Sequence, residues 1–167
     1  MNGLLSGWAV SGVHNISSGA PINFVMGTDV ALDGTGGASR QLAQLAPGAT
    51  VKDIPRDQKN LDDFINNFFN TSAFVPVNQV ARGIYGNMPS NVISGPAMAK
   101  SDIAVMRDFK LPGRDGLRLQ MRGELFNAFN QVAFGAPNTN LSAGTSFGRI
   151  TSAQPGRVGQ VVAKVLW

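Results

Sequence analysis

From residue 117 to residue 125 apolar and polar side chains alternate without a break. Leu117, Leu119, Met121, Gly123 and Leu125 hold one parity, and Arg118, Gln120, Arg122 and Glu124 hold the other. A period of two belongs to an extended strand whose two faces meet different surroundings, because a helix repeats every 3.6 residues instead. Three further segments carry weaker forms of the pattern. In residues 4–18, LLSGWAVSGVHNISS, Leu4, Trp8, Val10 and Ile16 oppose Gly7, Ala9, Ser11 and Asn15, although Val13 breaks the alternation and His14 falls on the apolar side. In residues 101–111, Ile103, Val105, Phe109 and Leu111 oppose Asp102, Ala104, Asp108 and Lys110, with Arg107 interrupting the apolar parity. In residues 158–167, Val161, Ala163, Val165 and Trp167 oppose Gln160 and Lys164, while Val162 and Leu166 fall on the polar side.

The connections are unequal. Pro112-Gly113-Arg114-Asp115-Gly116 is a tight turn, since proline presets φ and Asp-Gly tolerates positive φ, so the second and third segments form a hairpin. Residues 19–100 and 131–157 are long, and the second is rich in Gly, Asn, Ser and Thr. The first contains a short predicted helix over residues 61–69, begun by Asn60 as N-cap with Asp62 and Asp63 in its first turn, and a short strand near residues 21–25. Connections of this length are uncommon in compact soluble domains. They are expected on the outer side of an outer-membrane barrel, whose other end has short turns. Four antiparallel strands joined long, short, long would put the tight turn and Trp167 at the same, periplasmic, end. The expected fold class is therefore all-β: antiparallel strands at about 4–18, 101–111, 117–130 and 158–167, forming part of a transmembrane β-barrel with long extracellular loops.

Composition narrows the alternatives. No apolar run approaches the roughly 18 residues a spanning helix needs. Twenty Gly and nine Pro, with Glu124 as the single Glu, disfavour a helical bundle. The net charge of +4 is spread over singly scattered arginines such as Arg40, Arg56, Arg82, Arg107, Arg149 and Arg157, which argues against a nucleic-acid surface. With no Cys, a disulfide, a thiolate metal site or a Cys nucleophile is impossible. The first eight residues lack the basic and apolar regions of a secretory signal, so Met1 is expected to be internal to a longer chain.

The blocks GWAVSGVHNISSGAPI, FNTSAFV, GNMPSNVISGP, SDIAVMRDFKL, LRLQMRGELFNAFNQVAFGAPNTN, FGRIT and VGQVVAKVLW together resemble, in order, the end of TonB-dependent receptors. The likeness is to the Oar-like branch, whose members often carry a carboxypeptidase-regulatory-like domain at the amino terminus. ELFNAFN and FNTSAF are its most specific parts. The resemblance implies a barrel of about 22 strands, plugged by an amino-terminal domain and energised through TonB. This chain would supply the last four strands, as the C-terminal fragment of such a receptor. The implied partners are outer-membrane lipid, the preceding strands and plug of the same chain, TonB through that plug, and the assembly machinery that reads the last strand. Trp167 stands where Phe is more usual.

No residue set suggests catalysis, and no cofactor is implied. His14 has no nearby carboxylate or second His to make a triad or a metal site, and reads as a wall residue. Asp29, Asp33 and Gly34 fail the calcium-loop spacing, and Gly34-Thr35-Gly36-Gly37 lacks the strand and helix of a phosphate loop. Arg118, Gln120, Arg122 and Glu124 are the candidate lumen-facing residues. Trp8, Phe109, Leu119, Met121, Phe129, Val165 and Trp167 are the candidate lipid-facing or girdle residues. The expected function is barrel wall and solute-handling loops of a TonB-dependent transporter in the bacterial outer membrane. The competing expectation is a soluble cell-surface β-sandwich binding glycan or protein, which would bury the apolar face of residues 117–125 against a second sheet.

Overall fold

In the computed structural model, which describes residues 7–34, 40–113 and 115–167, the alternating segments are strands. In chain order the elements are β1 (Trp8–Ser17), β2 (Pro21–Ile22), α1 (Leu61–Asn66), β3 (Ile93–Ser94), β4 (Met98–Lys110), β5 (Arg118–Phe126) and β6 (Val158–Leu166), with four short 3-10 turns between them. Among the described residues no helix is long and apolar enough to cross a membrane, which has no bearing on crossing by strands. Leu4 of the first expected strand, Arg114 of the tight turn and Thr35, Gly36 and Gly37 lie outside the described residues.

The chain divides into two compact units. The first, Met1–Ser17 with Met98–Ala133 and Gln154–Trp167, is a four-stranded antiparallel sheet in the order β1-β4-β5-β6. At one end of this sheet Ser17 pairs with Met98 and Phe126 with Val158. At the other end Lys110, Arg118 and Leu166 are partners. Both long connections therefore leave and rejoin the sheet at the same end, while the tight turn and the carboxy terminus share the opposite one.

Among the described residues two strand limits differ from expectation by three residues or more. β4 begins three residues early, because Met98, Ala99 and Lys100 find partners in Ser17, Ile16 and Asn15. β5 stops at Phe126, not at residue 130. Asn127 and Asn130 both adopt φ of 53°, a left-handed conformation that Asn tolerates and a strand cannot contain.

The second unit is Ser18–Ala97 with Phe134–Ala153. The long connections share an apolar core. Phe24, Phe69, Phe74, Ile54, Ala43 and Met88 are buried in it. The rings stack edge to face, with Phe24 and Phe69 centroids 4.8 Å apart and Phe69 and Phe147 5.1 Å apart. FNTSAF supplies two of these rings. Between them Asn70 accepts from the Ser72 amide (3.2 Å) and donates to the Asp53 carbonyl (3.0 Å), capping the 3-10 turn Thr71–Ala73. Asn60 caps α1 through the Asp63 amide (2.8 Å). α1 then ends at Asn66 instead of running to Phe69, so that Phe68 and Phe69 can turn into the core. The expected strand near residues 21–25 shrinks to β2, paired with β3, plus a bridge from Val25 to Leu42.

Candidate functional site: the two faces of the sheet

Residues paired across an antiparallel sheet share a face, so the register sorts every strand side chain. One face carries five apolar rows and one polar row. Phe109, Leu119 and Val165 form the row nearest the tight turn. Trp8, Arg107, Met121 and Ala163 follow, then Val10, Val105, Gly123 and Val161, then Gly12, Ile103, Leu125 and Gly159. The pairs His14–Ser101 and Ile16–Ala99 complete it. The solvent-side exposure is high: Val10 is 71 % and Val161 76 % exposed. A sandwich core would bury these side chains, so the face has no second sheet over it.

The opposite face carries the charges. Arg118, Gln120, Arg122 and Glu124 lie on it with Asp108, Lys110, Gln160 and Lys164. Arg122 Nη2 lies 2.5 Å from Glu124 Oε1, and Gln160 donates to the other oxygen of the same carboxylate. Gln120 Nε2 donates to Asp108 Oδ1 at 2.9 Å, and Arg118 approaches the second oxygen of Asp108 at 3.8 Å. The four candidate lumen residues thus belong to two adjacent polar clusters that tie β4 to β5 and β5 to β6. Arg118 and Arg122 are exposed while Gln120 and Glu124 are half-buried, and ion pairs with an exposed partner contribute only about 0–1 kcal/mol each, so their charge serves the surface more than the fold. Val162 and Leu166 interrupt this face as their parity requires.

Arg107 is the intruder on the apolar face. Its guanidinium lies 5.2 Å from the Trp8 ring centroid and 4.8 Å from that of Phe109. The two flanking aromatics thus give a cation a favourable seat on an otherwise apolar surface. Trp8, Phe109, Leu119, Met121 and Val165 all lie on this face, and Trp167 follows one residue past β6. Phe129 lies outside the strands, exposed in the turn after β5, because the strand has already ended at Phe126.

A family model described as an outer membrane beta barrel domain matches residues 1–160. The chain belongs to that family. No curated protein and no solved structure matches it. An outer membrane beta barrel domain alternates apolar and polar side chains along strands with short turns at one end and long connections at the other. The sheet of this chain has each of those properties, and the soluble sandwich is set aside.

Several working residues of this outer-membrane barrel protein were not legible beforehand. Asn127 accepts from the Gln131 amide (2.9 Å), and its own amide donates to Asp102 Oδ1 (2.8 Å). Asn130 Oδ1 accepts from the Arg157 amide (3.0 Å), and Arg157 Nη1 donates to the Ala128 carbonyl (3.3 Å). The ELFNAFN block is therefore a strand end followed by a folded turn that holds the chain just before β6. In the loop unit the buried Gln41 accepts from the Val30 and Ala31 amides (2.9 and 3.0 Å) and donates to Asp29 Oδ1 (2.6 Å). Asp29 also accepts from the Asp33 and Gly34 amides, so its carboxylate is a loop brace. Only Asn and Gln in otherwise loop-like sequence hint at these roles. His14 Nδ1 lies 2.6 Å from the hydroxyl of the buried Ser101, its register partner.

Proposed function

We propose that this chain is barrel wall and extracellular-loop portion of a TonB-dependent transporter of the bacterial outer membrane. The observation that carries the reading is the division of the sheet: a charged, cross-linked face on one side and an uncovered apolar face on the other. A wall between lipid and a polar interior needs that division. The apolar rows face hydrocarbon, and Arg118, Gln120, Arg122 and Glu124 face the interior, where they meet the plug or the solute path. Among the described residues the outer edges of β1 and β6 have no partner, and further strands of the barrel supply it, since lipid does not tolerate an open edge. β6 with Trp167 is the strand that the assembly machinery reads. The protein handles solute by binding and passage, not by covalent chemistry.

The resemblance of ELFNAFN and FNTSAF to TonB-dependent receptors supports the finer assignment, and both blocks have defined structural work here. Photo-crosslinking tests it, with a benzophenone amino acid at Gln120 and at Gln160 in living cells. Crosslinks to an amino-terminal plug that change when TonB is deleted or the proton gradient is collapsed are the expected result. A crosslink pattern indifferent to both treatments would leave a barrel wall and remove TonB-driven transport.

A further inference from the structure

We propose that the loop unit carries a binding cleft for a small, uncharged, mostly apolar solute that bears an amide group. The cleft, of about 460 Å³, lies wholly within that unit and has the size that holds small organic ligands. The nearly buried Phe74 forms its floor, Pro47, Pro76 and Ile84 stand in its walls, and Gln44 and Gln79 are its polar side chains. Among the described residues no charged side chain lines it; Arg82, close in sequence, is outside the lining. The cleft stands on its own geometry, whereas its role as the place where transported solute first binds rests on the transporter reading.

Local structure holds the cleft open. Residues 44–46 and 73–75 run antiparallel through the Leu45–Phe74 bridge, where Val75 donates to the Gln44 carbonyl and Ala46 to the Ala73 carbonyl, both at 2.9 Å. The Gln79 amide donates to the Pro76 carbonyl (2.8 Å) across the 3-10 turn Val77–Gln79. The Gly83 amide donates to the Val30 carbonyl (2.8 Å), which ties down the segment carrying Ile84. Pro47 and Pro76 have their φ fixed by the ring. Phe74 packs on Phe24 and Phe147, with centroids 4.7 and 5.4 Å away, so its ring is held in the core and does not swing up to fill the space. A site formed before its ligand arrives loses less entropy on binding.

The lining selects the ligand. A charged solute would shed its water with no counter-charge in the wall, which is costly. A free sugar would set most of its hydroxyls against carbon and leave them without hydrogen bonds. An aliphatic or aromatic body covers the floor and walls without either loss. The carboxamides of Gln44 and Gln79 make no hydrogen bond among the described residues, and each offers a donor and an acceptor. One amide, with its own N–H and C=O, answers both functions at once. Short blocked or cyclised peptides of apolar amino acids have this chemistry.

The test photolabels the protein, purified from outer membranes into lipid nanodiscs, with the diazirine analogue of N-acetyl-leucinamide. Saturable labelling is expected, competed by N-acetyl-leucinamide itself, with adducts mapped by mass spectrometry to residues 44–47 and 74–84. Gln79→Leu keeps the shape and removes one hydrogen-bonding group, weakening competition by about three- to tenfold. Ile84→Asp, at an exposed wall position, brings in a charge and weakens it by about tenfold or more, while Lys52→Gln elsewhere in the unit changes nothing. N-acetyl-leucine, whose carboxylate replaces the amide, competes about tenfold less well, and glucose does not compete. Labelling that is unsaturable, or unchanged in both Gln79→Leu and Ile84→Asp, overturns the cleft. Equal competition by N-acetyl-leucine or by glucose overturns the ligand class. On intact cells a dextran conjugate of N-acetyl-leucinamide, too large to enter, should compete as well; if it does not while labelling in nanodiscs is saturable, the cleft stands and its outward, solute-gathering role is overturned.

Discussion

The side-chain oxygen of Asn130 accepts a hydrogen bond from the backbone amide of Arg157, 27 residues away in sequence and 3.0 Å away in space. The contact fixes where the chain turns back toward β6, and it requires Asn130 in its left-handed conformation. Asn130→Ala loses both the acceptor and the tolerated φ, and is expected to destabilise the barrel by about 1–2 kcal/mol. Asn130→Gly keeps the backbone freedom and loses only the acceptor, so it should cost less. Thermal unfolding in detergent, followed by the heat-dependent shift in electrophoretic mobility, measures the order of the two variants; equal losses would show that the left-handed backbone contributes nothing, and an unchanged Asn130→Gly would show that the hydrogen bond contributes nothing.

Adjacent residues on β6 should respond oppositely to the same change. Val161→Arg puts a second charge on the apolar face near its middle and is expected to cost about 2–4 kcal/mol in a bilayer. Gln160→Arg, on the charged face, should lie within about 0.5 kcal/mol of wild type. Denaturant titration of the protein folded into vesicles compares them, and similar costs at the two positions would contradict the assignment of faces.

The loop unit depends on its rings. Phe69→Ala removes a buried ring that stacks on Phe24, Phe74 and Phe147, and should cost about 3–5 kcal/mol of that unit's stability. Limited proteolysis is expected to cut within residues 18–97 while the strands stay protected. Cleavage of the strands at the same rate would mean that the sheet does not hold without this core.

Two groups outside the strands predict pH effects of opposite sign. The Thr50 backbone amide, and then the Thr50 hydroxyl, donate to Asp53 and hold its carboxyl below the ordinary value. A depressed folded pKa stabilises above the ordinary value of 3.8, and the benefit disappears as pH falls through the folded pKa. The hydrogen bond from Tyr85 to Asp33 raises the Tyr85 pKa. Its benefit is present below the ordinary value of 10.0 and is lost as pH rises through the folded pKa. Hydrogen-exchange protection at residues 50–54, taken relative to the intrinsic exchange rate at each pH, should therefore fall in acid, and fall less in Asp53→Asn. Protection near residues 82–86, taken the same way, should fall in alkali, and fall less in Tyr85→Phe.

By itself the sequence determined the strands and their two faces, because a period of two is a local property written in consecutive residues such as those from Leu117 to Glu124. The tight turn was legible for the same reason, and so was the cap of α1 by Asn60. Tertiary structure decided the rest. Which parity of β1 joins which of β4 depends on register, and register placed Arg107 between Trp8 and Phe109 in space, making a seat of what reads in sequence as an interruption. The end of β5 at Phe126 follows from Asn127 and Asn130 finding partners in Asp102, Gln131 and Arg157, two of them distant in the chain. The core of the loop unit gathers Phe24, Phe69, Phe74 and Phe147 from widely spaced stretches without periodicity, and only chain folding brings such residues within ring contact.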